Sequence, residues 1–461
     1  MFKINNAKRT DLLKGNILKA LVAMALPIMA TSLLQMAYNM TDMIWIGRVG
    51  SNSVAAVGAA GMFVNFSASL TAFLRVGGQV NVAQSFGAGD REKAASYARN
   101  ALQTGVIISV LYSVIVSTFR KPLISFFKFT NEQVIKDAEI YLLIMSVCII
   151  FNIINPIITA VITATGNSKT PFQISTCGLL INLILDPVLI FGIGPVKPMG
   201  VFGAAAATVF AQFIVFLLYV RYLRQDLQVF AKMNFREPIN KDLLARITKI
   251  GLPTTIQAVM FNCISMSIGR IIAAWGETAI AVQKVGIQIE SISYMAAEGF
   301  AAATNSFIAQ NYGAKQFSRS KKGYSTALGV MMMWGVLTTC ALVFFAPYIF
   351  SVFIREPDVI PLGADYLRIL GYSQLFMCME ILTAGAFSAY GKTTPPSVVS
   401  IVFTSMRIPM SILLGKTALG INGVWWSISL SSVFKGVILV SLFVMFMKKF
   451  DKNIKEEKFT V

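Results

Sequence analysis

The 461-residue chain contains no histidine. That absence removes imidazole zinc sites, histidine general bases and haem ligation through histidine, and with them most chemistries of membrane-bound enzymes. Charge is scarce as well: 13% of the residues are Asp, Glu, Lys or Arg, against roughly a quarter in a soluble domain. The five cysteines (Cys148, Cys177, Cys263, Cys340 and Cys378) lie inside apolar runs without paired spacing. They read as small core residues, not as a disulfide framework or a thiolate metal site. Also missing is the polar linker that a soluble chain of this length would place between two or three domains. What is present is 56% hydrophobic, with a mean hydropathy of +0.67, the composition of a polytopic membrane protein.

The net charge of +19 does not point to nucleic acid. Lys and Arg fall in short stretches between apolar runs, with no aromatic-interleaved basic domain, and charge in such loops orients a protein in a bilayer. Twelve apolar runs are long enough to cross about 30 Å of hydrocarbon, which takes roughly 20 residues. They cover about 18–46, 53–84, 98–119, 134–165, 170–193 and 200–224, then 247–274, 279–309, 322–353, 362–390, 395–415 and 422–447. The expected fold is therefore all-α, with twelve transmembrane helices in two six-helix bundles. The basic segment holding Lys3, Lys8, Arg9 and Lys14 resembles the start of a signal peptide, but the run behind it is too long and contains Asp42; it reads as a retained helix. With the N-terminus inside, Arg91, Lys93, Arg99, Lys169, the 221–249 linker, Lys315, Arg319, Lys321, Lys322, Lys392 and the final lysines fall on one side. The loop with Arg120, Lys121, Lys128 and Lys136 dissents. The sum predicts both termini in the cytoplasm of a plasma-membrane protein.

The second half repeats the first. Pro27 of "ALPIMATSLLQMAYNMTDMIWIGRVG" overlays Pro253 of "GLPTTIQAVMFNCISMSIGRIIAAWG", and Gly50 overlays Gly276. In the same register "AQSFGAG" (83–89) meets "AQNYGAK" (309–315), and one residue off it "YLLIMSVCIIFNIINPIITAVITATGNSKTP" meets "YLRILGYSQLFMCMEILTAGAFSAYGKTTPP". "GVFG" at 200–203 meets "GING" at 420–423. Six spans per unit is an even number, so the two copies share one orientation and are parallel repeats. Such bundles suit alternating access better than a channel or a scaffold. The expected segments are a cytoplasmic lead-in 1–17, an N-lobe 18–224, a linker 225–246, a C-lobe 247–447 and a basic tail 448–461.

Ionisable residues inside spans are costly and normally face the protein interior. The first half holds Asp42 and Asp186, each with a polar residue one turn earlier on the same face, Tyr38 and Asn182. With Thr208 they supply an oxygen cluster able to hold a proton or, through Asp42, Asn182 and Asp186, a Na⁺ ion. In the second half Ile268 stands where Asp42 stands in the first. The polar candidates there are Gln257, Gln283, Gln288, Glu290, Glu298 and Glu380, the last overlaying Asn155. Asn152, Asn155, Gln257, Gln283, Glu290 and Glu380 are the expected substrate-cavity residues, and ion coupling is expected in the first half. Pro156 is expected to kink its span, and Pro27 to let the first span bend near Asp42.

In "NMTDMIWIGRVGSNSVAAVG", "AQSFGAGDREKA", "ATGNSKTPF", "INLILDPVLIFG", "GVFGAAAATVFAQ" and "AQNYGAKQ" the chain resembles the multidrug and toxic compound extrusion (MATE) family, over about residues 15–445. The resemblance implies a V-shaped twelve-helix exporter driven by H⁺ or Na⁺ antiport, with small organic cations or amphiphiles as substrates. It carries Asp42 and Asp186 onto the N-lobe acids of the DinF-like and archaeal branches, Tyr38, Asn182 and Thr208 onto their polar partners, and Pro27 onto the bend of the first span. The NorM-like branch has an acid where this chain has Phe261, a departure that argues against coupling of that type. The alternative is a flippase for a lipid-linked or amphipathic metabolite on a related fold, for which Arg75, Arg270, Lys284 and Arg407 are the basic residues inside spans. No cofactor, enzymatic activity or nucleic-acid partner is expected, the lipid bilayer is the one obligatory surrounding, and two complete lobes in one chain predict a monomer.

Overall fold

The computed structural model describes residues 9–192, 197–226 and 229–459; Lys3 and Lys8 of the basic lead-in, and the last two residues of the tail, lie outside them. The regular elements among the described residues are helical. The first half of the chain forms α1 (Ile17–Val49), α2 (Ser51–Leu70), α3 (Ala72–Gly87), α4 (Arg91–Thr118), α5 (Arg120–Ser125), α6 (Glu132–Val147), α7 (Ile149–Ala164), α8 (Lys169–Phe191) and α9 (Gly200–Gln225). The second forms α10 (Lys241–Ala273), α11 (Glu277–Gly313), α12 (Phe317–Phe344), α13 (Ala346–Ser351), α14 (Ile360–Gly371), α15 (Gln374–Ala389), α16 (Thr394–Ser405), α17 (Arg407–Gly415) and α18 (Ile421–Phe459).

Among the described residues nine rods are apolar and long enough to cross a membrane, and up to eleven when each bent pair counts as one span. The twelfth rod of the expected set is α11, 37 residues long. It carries Gln283, Lys284, Gln288, Glu290 and Glu298, so its length, not its apolarity, marks it as a span. The fourth and tenth spans are broken, bending 47° between α6 and α7 and 46° between α14 and α15. These bends fall near Cys148 and near Tyr372 and Ser373, at matching places in the repeat. Pro156, the expected kink, lies inside the continuous helix α7. Pro187 likewise lies inside α8, which runs on to Phe191.

Two compact units make up the chain: Met1–Asp11 with Ala30–Thr255, and Leu12–Met29 with Ile256–Val461. The division does not follow the expected lobe boundaries. It cuts α1 two residues after Pro27 and α10 two residues after Pro253, where each proline lacks the amide that would continue the helical ladder. The leading half of α1 therefore belongs to unit 2, and the leading half of α10 to unit 1.

Each exchanged half is anchored inside its unit. In unit 1, α10 meets α3 through two glycines: a Cβ on Gly77 would stand 2.2 Å from the Ile247 carbonyl oxygen, and one on Gly251 2.1 Å from that of Phe73. Only glycine permits such backbone approach. The residues ahead of α10 are tied to α4. The Asn240 amide donates to Asn100 Oδ1 (2.7 Å), Gln103 donates to the carbonyls of Phe235 (3.1 Å) and Glu237 (2.8 Å), and Arg99 pairs with Glu237. In unit 2, Asn311 donates to the Leu12 carbonyl (3.0 Å). Arg319 donates to those of Leu12 (3.2 Å), Gly15 (2.9 Å) and Lys14 (2.9 Å).

The repeated positions also share backbone geometry. Gly50 and Gly276, between the first and second rods of each half, have φ of 147° and 97°, and Gly200 and Gly420 have φ of 52° and 54°, values that favour glycine. The apolar core of unit 1 gathers Ile46, Ala56, Val134, Tyr141, Leu142 and Val201. That of unit 2 gathers Ile264, Ile268, Ile289, Tyr366, Leu367 and Trp425.

Candidate ion-coupling site

Helical spacing brings the expected first-half cluster together. Tyr38 and Asp42 share one face of α1, and Asn182 and Asp186 share one face of α8. Asn182 Nδ2 donates to Asp186 Oδ1 at 2.8 Å, and both residues are buried, 3% and 1% exposed. The Tyr38 hydroxyl and Thr208 Oγ1 of α9 lie 3.4 Å apart. Asp42 is half-buried; it and Asp186 are within electrostatic reach of each other and of the Tyr38 and Tyr141 hydroxyls. Asp42 Oδ1 and Asp186 Oδ2 are buried with no hydrogen-bond partner among the described residues. A buried carboxylate oxygen without a donor is costly, so each oxygen is suited to take up a proton or a cation. All of these residues belong to unit 1.

Tyr141 of α6 was not among the expected residues, although the repeat pairs it with Tyr366. In unit 2 Tyr366 of α14 stands beside Glu290 of α11, and Glu290 Oε1 is also buried without a partner. Each unit thus places a tyrosine from its broken span beside an acid. The acid comes from a different position in each.

The expected cavity residues have more structural surroundings. Asn155 is 5% exposed and donates through Nδ2 to the carbonyl (3.0 Å) and Oε1 (2.9 Å) of Gln212 on α9. Asn152 and Gln257 are half-buried. Gln283 accepts a hydrogen bond from Trp425 Nε1 (3.2 Å). Glu380 of α15 faces Lys435 Nζ of α18 at 2.9 Å. Nearby Arg407, 9% exposed, donates to the hydroxyls of Ser431 and Ser432 (2.5 and 3.1 Å). Lys435 was not singled out from the sequence. Its signal was a lone lysine in the apolar run "SVFKGVILV". Arg75, Arg270 and Lys284 are exposed. No cluster of three or more His, Cys, Asp or Glu residues occurs among the described residues.

A chain of apolar rods in two repeated sets, with Asp186 and Glu380 buried within its spans, is a multi-pass membrane protein. The MatE family model matches it twice, over residues 27–188 and 253–413, starting at Pro27 and at its repeat partner Pro253. The chain belongs to the MatE family, whose members are transporters and not enzymes. It is 26% identical over 434 residues to a probable multidrug resistance protein NorM of Thermotoga maritima, covering 92% of each chain. It is 24% identical over 436 residues to an FAD transporter of Shewanella oneidensis, covering 93% of this chain and 95% of that one. Its fold matches the crystal structure of a MATE protein in the bent conformation with a TM-score of 0.89 at 23% identity, covering 97% and 99% of the two chains.

Proposed function

We propose that the protein exports small organic cations or amphiphiles from the cytoplasm by H⁺ or Na⁺ antiport, with alternating access between its two repeats. Coupling runs through Asp42 and Asp186 of unit 1, assisted by Tyr38, Asn182 and Thr208. The observation that carries this reading is that Asp42 of α1 and Asp186 of α8 lie within electrostatic reach of each other, each with one buried oxygen left unpartnered. A site of that kind exchanges a proton or a Na⁺ ion, the ion being cargo and not a resident cofactor. The names carried by relatives support multidrug substrates. Phe261 in place of a span-seven acid supports coupling of the DinF-like kind. The distribution of lysine and arginine supports cytoplasmic termini in a plasma-membrane protein, and two repeats in one chain support a monomer.

The test is ethidium export from proteoliposomes under separately imposed H⁺ and Na⁺ gradients, with wild type beside Asp42→Asn. The expected result is export driven by one gradient and abolished in the variant, with gel filtration showing the variant folded. Full gradient-driven export by Asp42→Asn overturns the coupling assignment. Export under neither gradient overturns the drug-cation assignment and puts the amphiphile flippase in its place.

A further inference from the structure

A groove of about 1140 Å³ opens on unit 2. It is lined by the first turn of α1, the first turns of α12 and Asp451 of α18. Each of these helices contains a segment apolar and long enough to cross a membrane, and the groove lies at one end of each. Three span ends meeting at one place set the groove at the depth of lipid headgroups.

The charge of its walls is uneven. Lys315, Arg319, Lys321 and Lys322 face a single acid, Asp451. Two of the four cations are committed: Arg319 to the carbonyls ahead of α1, and Lys321 to Asp451 at 2.7 Å. Lys315 and Lys322 are exposed, and neither forms an ion pair with a side chain that the structure describes, which leaves aside the side chains of residues 453–461. Lys315 also holds a φ of 57°, in the left-handed region, at the place where the first repeat has Gly89 with φ of 82°. A lysine kept at a glycine position carries its charge at a backbone cost. Leu18 of α1, an apolar residue 45% exposed, completes the rim.

We propose that this groove binds the phosphate of an anionic phospholipid, held by Lys315 and Lys322, with the first methylenes of an acyl chain against Leu18. Cationic side chains at this depth attract acidic lipid through its phosphate, and an exposed leucine beside them favours a ligand with a tail over a soluble anion. With the orientation proposed above, the lipid belongs to the cytoplasmic leaflet. Each lysine is expected to strengthen binding by about fivefold.

Binding of dioctanoyl-phosphatidylglycerol and of dioctanoyl-phosphatidylcholine to the detergent-purified full chain is the test. Wild type is compared with Lys315→Gln/Lys322→Gln and with a control, Lys121→Gln/Lys136→Gln, outside the groove. The expected result is a preference for phosphatidylglycerol, weakened roughly 25-fold in the groove variant and unchanged in the control, with inorganic phosphate at equal concentration failing to displace the lipid. Equal binding of the two lipids overturns the proposal. So does an unchanged Kd in the groove variant, or an equal loss in the control, which assigns the preference to bulk charge. Displacement by inorganic phosphate assigns the groove to a soluble anion. Both lysines are exposed, so the variants are expected to fold, and unchanged gel-filtration profiles verify it.

Discussion

Glu380 of α15 and Lys435 of α18 face each other at 2.9 Å inside unit 2, their side chains 11% and 6% exposed. The pair spans two helices that pack along their length, and Arg407 is within electrostatic reach of it. Lys435 already supplies the counter-charge that a cationic substrate would bring to Glu380. The acid is therefore engaged by the protein's own ammonium in this structure, unlike the open carboxylate oxygens of Asp42 and Asp186.

Removing one partner leaves the other as a buried, uncompensated charge. Lys435→Met is expected to lower stability by roughly 3–5 kcal/mol, and Lys435→Met with Glu380→Leu to recover most of that loss, because an apolar pair of similar volume avoids desolvation. Thermal unfolding in detergent reads both. A double variant no more stable than the single one would show that the two side chains act independently.

The Asn182–Asp186 bond makes a separate prediction. Asn182→Leu removes the donor to Asp186 Oδ1 and is expected to cost about 1.5–3 kcal/mol, the range for a hydrogen bond to a charged group. Adding Asp186→Asn should restore part of this stability, since a neutral side chain tolerates the lost donor better. It should not restore gradient-driven export. Unfolding temperatures and ethidium export measured on the same preparations separate the two roles, and export by the double variant at the wild-type rate removes Asp186 from the coupling site.

Up to eleven of the rods were legible as apolar runs, and α11, which carries several polar residues, through its length and its place in the repeat. The proximity of Asn182 to Asp186 was legible from one-turn spacing, as was the shared face of Tyr38 and Asp42, whereas Thr208 came through the family resemblance and stands 3.4 Å from the Tyr38 hydroxyl. The exchange of leading helix halves was not legible. Pro27 and Pro253 mark where a helix is able to change partners, but the partner is chosen by tertiary contacts such as Gly77 with Ile247 and Asn311 with Leu12. Lys435 was equally obscure, since a lone lysine in an apolar run announces a buried charge without naming the acid it meets. Tyr141 and Tyr366 were visible as a repeated pair, yet a conserved place in a repeat does not reveal which acid comes to lie beside it.

Ile268 tests how far the repeats differ. It occupies the place of Asp42, but it is 3% exposed within the apolar core of unit 2. Ile268→Asp is expected to place an unpaired carboxylate there and to destabilise by several kcal/mol, with no gain of coupling. Ile268→Val should cost about 0.5–1.5 kcal/mol. Detergent thermal unfolding distinguishes them, and a well-folded Ile268→Asp protein would mean that water reaches this position.

Gly251 tests the anchoring of α10 in unit 1. A Cβ there would lie 2.1 Å from the carbonyl oxygen and 2.4 Å from the Cα of Phe73. These are backbone atoms, so neither helix can relieve the clash by turning a side chain. Gly251→Ala is expected to cost about 1–3 kcal/mol, the range for overpacking a tight interface. Gly269, further along the same helix, has nothing within 4 Å of such a Cβ. Gly269→Ala should therefore be neutral, or stabilising by up to about 1 kcal/mol through helix propensity. Because α10 and the residues ahead of it are held to the same unit, Gly251→Ala should also speed proteolysis between α9 and α10, whereas Gly269→Ala should not. Equal stability and equal cleavage rates in the two variants would place the anchoring of α10 in the Asn100, Gln103 and Arg99 contacts instead of in the glycine packing.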